Sequence, residues 1–520
     1  MHTSDWWLRL AQPRNWLFFL AAYLLIHMGM RLLLSDTLQL DDAEQLIQSQ
    51  QWRLDYGNFQ PPLYTWFLWA LWHLIEPSMW ALYVLRYLII GLAFWLWYRV
   101  SCLLFKDPRW IVASATSWLL LDEFGWKLHQ GSTHTTLLTL ALIMSLHAIV
   151  LLLRSPEKRY YLYLGFAVGL GMMAKYSYAG FLLPMLVAAL VAKDTRDRLL
   201  RWPMLFTVVG ALLIMSPVMW TLLAPEVAVG EQLHAETRHS EGGLLSADLS
   251  LLFAFAKGSL NFLAPLFLIY LTLFRVSFRP ELSSADHGSP VRDYQEAGLR
   301  SGRGQERVTS KGGQQTADAV RILLDCFHVA GWLSVLVVAV FVGIDDLKVR
   351  WLHPFLTLIP FWWLLHAAPN GQRKQTWQVL KWITVALVVL VLVARLWQLL
   401  ATPYIGKKPS RVTWPVMEAL EQVPREVLHA SQVRVADAFL GGHVRLLTDS
   451  PVSVEEPVSS GEPGGTWLWG SSTKQSSGEP DESPGTLTGS VRWFSAEKGR
   501  AVYRVACAGN SSGLGAPCRP

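Results

Sequence analysis

The sequence has few charged residues, few cysteines and no glycine-rich nucleotide motif. Of its 520 residues, 16% are charged and 52% are hydrophobic, which excludes a string of soluble domains. Four cysteines are too few for a disulfide framework, although Cys507 and Cys518 share the polar tail and could pair in an oxidising compartment. Because neither GxGxxG nor GxxxxGK occurs, no nucleotide cofactor is predicted. The composition is that of a membrane protein.

The formal charge of +6 does not indicate nucleic acid as a partner. The basic residues lie in short loops between apolar runs, where the positive-inside rule expects them. The N-terminal apolar run is followed by no small-residue cleavage site, so it is interpreted as a retained first helix.

Apolar runs long enough to cross a bilayer recur along the first 400 residues. A crossing takes about 20 apolar residues in a helix, and on that criterion about eleven membrane helices are predicted. The predicted segments are 16–34, 82–104, 110–124, 133–153, 160–174, 176–192, 203–223, 257–275, 322–343, 352–368 and 377–400.

Loop charge predicts the orientation. Loops rich in Lys and Arg alternate with loops of lower basic density, which places the N-terminus in the cytoplasm. The first outer loop then spans 35–81. The segments 122–132, 224–256, 344–351 and everything after residue 400 share its side, and the polar 276–321 stretch is predicted as a flexible cytoplasmic loop.

The last part of the chain has a soluble composition. Residues 414–423 indicate a short helix, 431–439 and 443–449 indicate strands, and 457–490 is a Gly/Ser/Pro-rich linker-like run. The predicted architecture is therefore an all-α polytopic membrane module (1–400) with a small α/β periplasmic domain (401–520) that has a loose middle.

An acidic pair follows directly on the first membrane helix. Asp41 and Asp42 fit either of two roles: carboxylates at the interface that take a proton or hold a divalent cation, or simple caps of a solvated helix. The later "QPPLYTW" turns Gln60 and Tyr64 back toward the acids, although a proline-started helix explains it equally well.

Three segments together resemble a known superfamily. "DDA", "DYG" and "PPLYTW" in the first outer loop, "LGFAVGLGMMAKYSYAGFLLP" and "KVRWLHPFLTLIP" are similar to motifs of the GT-C superfamily of polyprenyl-phosphate-sugar glycosyltransferases. This superfamily includes protein O-mannosyltransferase-like enzymes, bacterial lipid A aminoarabinose transferases and galacturonic acid transferases of the lipopolysaccharide core. The resemblance covers roughly residues 35 to 370 and implies the GT-C fold.

The resemblance also implies roles for particular residues. Asp41 matches the catalytic acid and Asp42 its neighbour. Lys175 matches a lysine at the outer end of a Gly-rich helix, where a donor phosphate is a natural partner with Tyr176 beside it; a lysine that merely snorkels is the alternative.

Two arginines and a histidine are further candidates for the donor site. Arg350 lies on the predicted outer side, against the positive-inside trend, and is assigned a phosphate or sugar-carboxylate contact unless it pairs with a neighbouring aspartate. His353 is a weaker candidate. Arg86 interrupts an apolar run, so it needs a partner, either an acid or the lipid phosphate.

A divalent metal site is one interpretation of the outer loops. His134, His234 and Glu231, from separate loops, have the side chains that bind Mg, Mn or Zn. No HExxH-like spacing accompanies them, and loops rich in His and Glu are common.

The predicted function is inverting transfer of a sugar from a polyprenyl-phosphate donor to a lipid, lipopolysaccharide or protein acceptor on the outer face of the bacterial inner membrane. Asp41 would serve as base, while Lys175 and Arg350 would stabilise the departing phosphate. The alternatives are a transporter or flippase, and a non-catalytic binder, of lipid-linked sugars.

Overall fold

Helices make up most of the structure, a computed structural model that describes residues 3–57, 60–223, 244–274, 303–342, 352–370, 372–405, 410–455, 466–474, 490–498 and 501–509. The α-helices are α1 (Thr3–Leu10), α2 (Pro13–Leu34), α3 (Leu40–Gln48), α4 (Leu63–Trp72), α5 (Met79–Leu104), α6 (Pro108–Ala115), α7 (Asp122–Gly125), α8 (His134–Arg154), α9 (Lys158–Ala174), α10 (Ala179–Val191), α11 (Lys193–Leu199), α12 (Met204–Leu223), α13 (Leu244–Leu273), α14 (Arg303–Val342), α15 (His353–Leu356), α16 (Ile359–Ala367), α17 (Lys374–Leu400), α18 (Val416–Leu420), α19 (Arg425–Leu428) and α20 (Ala438–Arg445). Single 3-10 turns cover Ser117–Leu120, Lys127–His129, Tyr176–Tyr178, Ala368–Asn370 and Arg411–Thr413.

Fewer helices than predicted have the length and composition of a membrane span. In the described ranges these are six: Pro13–Leu34, Met79–Leu104, His134–Arg154, Phe255–Leu273, Gln314–Val337 and Lys374–Leu400. The pair Tyr176–Val191 and Lys193–Leu199, bent by 104°, gives a seventh if it counts as one span. The predicted number of eleven is not confirmed, because the other apolar runs form shorter or interrupted helices.

Two of the predicted spans are interrupted for identifiable reasons. In the 110–124 segment the Thr116 hydroxyl donates to the Val112 carbonyl (2.8 Å) and the Ser117 hydroxyl donates to the Ser114 carbonyl (2.7 Å), in competition with helix continuation. The 352–368 segment contains a proline in the first turn of α15 and another in the first turn of α16. A proline favours a new helix start over continuation.

The predicted cytoplasmic loop 276–321 is also partly helical. Helix α14 begins at Arg303, so the second half of that segment extends a membrane helix; residues 275–302 lie outside the described residues.

The described residues from 410 onward, here named the C-terminal unit, contain a five-stranded sheet. Its strands are β1 (Val433–Val435), β2 (Val452–Val454), β3 (Thr466–Lys474), β4 (Ser490–Lys498) and β5 (Ala501–Gly509), in the spatial order β2-β1-β3-β5-β4. β1 is parallel to β2 and β3, whereas β5 is antiparallel to β3 and β4.

The sequence predicted part of this unit correctly and part of it wrongly. β1 lies inside the predicted strand 431–439, but 443–449 completes helix α20 and its following turn instead of forming a strand. β3 falls within the run that was predicted as a linker.

The C-terminal unit shares a hydrophobic core with the first loop. Leu38, Ala43 and Leu46 are fully buried in one cluster with Leu440 and Val444 of α20. A second, larger cluster fills the space between the membrane helices. Helices α3 and α4 therefore form the layer between the two.

Candidate active site

Helix α3 carries both predicted catalytic acids in its first turn. The helix dipole favours carboxylates in the first turn of a helix. The Gln39 side chain, at the N-cap of α3, makes no capping hydrogen bond with the backbone N–H groups of that turn. Successive residues on a helix point about 100° apart. Asp41 is accordingly exposed, whereas Asp42 is completely buried.

Asp42 is held by two side chains of α5. It forms an ion pair with Arg86, which is also completely buried, and it accepts a hydrogen bond of 2.9 Å from the Tyr83 hydroxyl. The partner that Arg86 requires is therefore the acid, and in this structure no lipid phosphate is needed to explain its burial. Asp42 anchors α3 to the membrane helices.

Two further buried arginines surround this anchor and were missed by sequence reasoning. Arg31 donates to the Ser35 carbonyl (3.1 Å) and its guanidinium lies 5.1 Å from the centre of the Tyr83 ring. Arg395 donates to the His129 carbonyl (2.9 Å). The signal that could have revealed both is the one that revealed Arg86, a lone arginine within an apolar run, as in "GMRLLL" and "LVARLW".

The "QPPLYTW" segment does turn polar groups into the site. Tyr64 is completely buried, and its hydroxyl has no hydrogen-bond partner among the described residues; the same is true of the Gln60 side-chain oxygen. Burial raises the pKa of Tyr64, and the negative charge of Asp41 raises it further, so these two side chains lie within electrostatic reach. An unpaired buried polar atom is costly, and a ligand that bonded to it would remove that cost.

His134 adjoins this segment at the start of α8. Its ring lies 5.9 Å from the Tyr64 ring, and its Nε2 lies 3.1 Å from Nε2 of Gln45. The Gln45 side-chain oxygen in turn accepts a hydrogen bond of 2.7 Å from Thr65. His134 is thus part of a polar network that joins α3, α4 and α8.

Lys175 lies at the same end of the helices. It is the residue at which α9 ends and the backbone becomes extended, and its ammonium group donates to the Thr135 hydroxyl (3.1 Å). Its charge is close enough to act on His134 and on Glu123. Tyr176, beside it, is half-buried and starts a 3-10 turn.

Glu123 and His353 form a second pair on this surface. His353 Nδ1 lies 3.8 Å from the Glu123 carboxylate, and His353 Nε2 lies 3.3 Å from the Thr139 hydroxyl. Burial by itself raises the pKa of Glu123, but the facing imidazole and the charges of Lys127 and Lys175 outweigh it and leave this pKa below its ordinary value. The sequence did not predict this pairing of Glu123 with His353.

The predicted metal site is not assembled in the described part of the chain. Among the described residues, no group of three or more His, Cys, Asp or Glu side chains is arranged so that it could hold a metal ion. His234 and Glu231 lie outside the described residues, as does Arg350. The metal site and the role of Arg350 stay predictions.

Known proteins resemble this chain in sequence and in fold. Residues 59–220 match the dolichyl-phosphate-mannose-protein mannosyltransferase family. The lipopolysaccharide core galacturonosyltransferase RgtB of Rhizobium johnstonii is 25% identical over 435 residues, which cover 83% of this chain and 81% of that protein. The lipopolysaccharide core galacturonosyltransferase RgtA of the same organism is 27% identical over 448 residues, which cover 85% of this chain and 83% of that protein. The crystal structure of ArnT from Cupriavidus metallidurans bound to undecaprenyl phosphate has a TM-score of 0.57 at 14% identity, covering 97% of this chain and 99% of that chain.

The apolar helices and the polar surface at one end of them, together with these relatives, define a multi-pass membrane glycosyltransferase. In sequence and in fold the chain is similar to members of the GT-C superfamily of polyprenyl-phosphate-sugar glycosyltransferases. The resemblance inferred from the motifs is confirmed, and the likeness to ArnT shows that the fold is shared.

Proposed function

We propose that this protein transfers a sugar, with inversion at the anomeric carbon, from a polyprenyl-phosphate donor to a lipid, lipopolysaccharide or protein acceptor on the outer face of the bacterial inner membrane. Two relatives named as lipopolysaccharide core galacturonosyltransferases support an acceptor of the envelope and a uronic acid as one candidate sugar. The undecaprenyl phosphate bound to ArnT supports a polyprenyl carrier.

The observation that carries the proposal is the different environment of two adjacent acids. Asp42 is buried in an ion pair with Arg86, so its carboxylate is committed to the fold. Asp41 is exposed, within electrostatic reach of Tyr64, so a substrate can reach its carboxylate. This asymmetry favours Asp41 as the base.

The proposed step uses residues that lie on that surface. The acceptor hydroxyl attacks the anomeric carbon and gives its proton to Asp41, while the bond between that carbon and the phosphate oxygen breaks. The sugar ends on the acceptor, and the polyprenyl phosphate leaves with the bonding electrons. Lys175, with Arg350 as a predicted second cation, stabilises the charge that develops on the phosphate.

The position of the basic loops supports an outer-face site. His134 begins α8 and Lys175 follows the end of α9, so both lie at the end of the helices where Asp42 pairs with α5. The basic loops 106–109 and 154–159 follow the other ends of α5 and α8. Helix α8, with 21 residues, is about 31 Å long, which is the thickness of the hydrocarbon layer. Cys507 is disulfide-bonded, as suits an oxidising compartment.

The test is transfer by the purified full-length protein in detergent. Undecaprenyl phosphate carrying radiolabelled galacturonic acid, aminoarabinose or mannose serves as donor, and lipopolysaccharide from a core-deficient strain serves as acceptor. We expect transfer from one of these donors, and we expect Asp41→Asn to abolish it while the protein stays folded. Undiminished turnover in that variant would remove Asp41 from the role of base.

The same assay addresses the other two functions and the metal. A flippase or a non-catalytic binder would bind undecaprenyl phosphate in detergent and transfer no label from any donor of the panel. A cation held by His134, His234 and Glu231 predicts that chelation with EDTA stops transfer and that adding back Mg, Mn or Zn restores it; transfer that is unaffected by EDTA contradicts the metal site.

A further inference from the structure

The C-terminal unit contacts the part of the first outer loop that contains α3, residues 35–50. Before α3, the Ser35 hydroxyl donates to the Val412 carbonyl and the Thr37 hydroxyl donates to the Trp414 carbonyl (2.6 Å). After α3, Gln50 forms two hydrogen bonds of 3.0 Å with the backbone of Val452. The 35–50 segment is therefore fixed at both ends by residues about four hundred positions away in sequence.

One histidine of α20 holds the backbone at the start of α3. The Leu38 N–H donates to Nε2 of His443 (2.8 Å), and the opposite ring nitrogen lies 2.7 Å from the Phe439 carbonyl. A single neutral tautomer, with the proton on Nδ1, satisfies both contacts. His443 is completely buried, and burial lowers its pKa to about 4, so the imidazole remains neutral and Nε2 remains an acceptor at ordinary pH.

Two consecutive glycines bring α20 onto α3 itself. A methyl group added at Gly442 would lie 2.5 Å from Cβ of Ala43, and one added at Gly441 would lie 3.0 Å from Cδ1 of Ile47. Real Cβ atoms do not approach other atoms as closely as the first of these distances, so only glycine permits the observed contact at position 442.

Helix α3 is consequently held from two sides. On one side Asp42 pairs with Arg86 in the membrane helices, and on the other Ala43 lies against Gly442. Asp41, which directly precedes Asp42, is left on the exposed side. The direction of its carboxylate depends on both contacts, because rotating or shifting α3 would move Asp41 with it.

We infer that His443 and Gly442 are positioning residues for sugar transfer: the C-terminal unit holds α3 so that the Asp41 carboxylate faces the reacting hydroxyl. This inference rests on the proposed function, since it assumes that Asp41 acts in the transfer step. It assigns the C-terminal unit a task in catalysis without placing any of its residues in contact with the substrate.

The experiment compares substitutions at two histidines of the C-terminal unit in the full-length protein. His443→Leu leaves the Leu38 N–H without an acceptor, whereas His443→Gln places an amide oxygen near the position of Nε2. His429→Leu is the matched control, because His429 is exposed. Gly442→Ala tests the helix contact without changing His443, and Gly180→Ala, where the added methyl meets nothing within 4 Å, is its control.

Three measurements separate positioning from general damage. Single-turnover transfer should fall about tenfold to a hundredfold in His443→Leu and Gly442→Ala, the size of effect that a displacement of about 1 Å produces. Affinity for undecaprenyl phosphate should change less than about twofold, since the phosphate site is on other helices. Hydrogen–deuterium exchange of the 35–50 segment should rise in both variants, and His443→Gln should restore the rate to within about threefold of wild type.

The possible results distinguish this inference from the proposed function. A wild-type transfer rate in His443→Leu or Gly442→Ala, with or without faster exchange of α3, overturns the positioning role alone. An equal loss of phosphate affinity and rate also overturns it, because the damage would then be general. If His443→Leu or Gly442→Ala does not fold, the remaining variant, together with the rate of His443→Gln, still tests the positioning role. Full turnover in Asp41→Asn overturns the proposed base and this inference with it, whereas faster exchange of α3 in His443→Leu would still show that His443 holds the helix.

Discussion

The buried ion pair predicts that two neighbouring, chemically identical substitutions have opposite consequences. Asp42→Asn removes the charge that balances Arg86, and both side chains are completely shielded from solvent. Breaking a buried pair by removing one partner costs about 3–5 kcal/mol of unfolding free energy. Asp41→Asn changes an exposed carboxylate, and the expected change is within about 0.5 kcal/mol.

The assay is unfolding of the purified protein in detergent by increasing denaturant, followed by the fluorescence of its 26 tryptophans. Asp42→Asn should unfold at clearly lower denaturant than wild type, whereas Asp41→Asn should unfold with wild type and lack transfer activity.

A second substitution tests the cause of the instability. In Asp42→Asn combined with Arg86→Met the charge of Arg86 is removed together with that of its partner, so this double variant should regain part of the stability that Asp42→Asn loses. Equal unfolding midpoints for Asp41→Asn and Asp42→Asn, or a double variant less stable than either single one, would refute the assignment of Asp42 as an anchor.

Three further predictions concern the rest of the site. Lys175→Ala should weaken binding of undecaprenyl phosphate roughly 10- to 150-fold, measured by calorimetry with Lys175→Arg as control, because hydrogen bonds to charged groups contribute about 1.5–3 kcal/mol; unchanged affinity contradicts a phosphate contact. Tyr64→Phe should raise the unfolding midpoint slightly, since it removes a buried hydroxyl that has no partner among the described residues. It should also slow transfer about fivefold if the substrate binds that hydroxyl, and a wild-type rate contradicts such contact. The pKa of Glu123 is lowered in the folded protein. The ionised Glu123 carboxylate therefore stabilises the fold above its ordinary pKa of 4.5, and this stabilisation is lost as the pH falls through the folded pKa. The melting temperature of wild type should exceed that of Glu123→Gln, and this difference should shrink between about pH 5 and pH 3. An advantage that is independent of pH contradicts the pairing with His353.

The sequence indicated which charged residues lie at one end of the helices, but it overestimated the number of helices long enough to span a membrane. The acids of the first loop and Lys175 carry strong signals, since each is a charge at the border of an apolar run, and the structure brings them to one end of the membrane helices. Hydropathy cannot distinguish a continuous helix from one interrupted by Ser and Thr hydroxyls or by a proline. The segments 110–124 and 352–368 were therefore predicted as spans although each is interrupted.

The different environments of Asp41 and Asp42 could not be read from sequence order. Helix periodicity separates their directions, but which direction is buried depends on Arg86, a residue 44 positions later. In the same way, the helix Ala438–Arg445 was predicted as the end of one strand and the start of another, with Gly441 and Gly442 between them. The sequence did not reveal that these glycines allow a contact with Ala43 in the first loop. Contacts between segments distant in the chain decide both cases.

The contact between His443 and Leu38 also has a consequence for biosynthesis. The outer loop that carries the proposed base is among the first segments to emerge from the ribosome, yet its backbone is completed by a helix made about 400 residues later. During synthesis and insertion α3 has no cover on its outer side, so a chain that ends before residue 438 should be inserted in the membrane and remain inactive. If the proposed function holds, activity is expected only after the whole chain has been made, and nascent or truncated copies would not consume lipid-linked sugar.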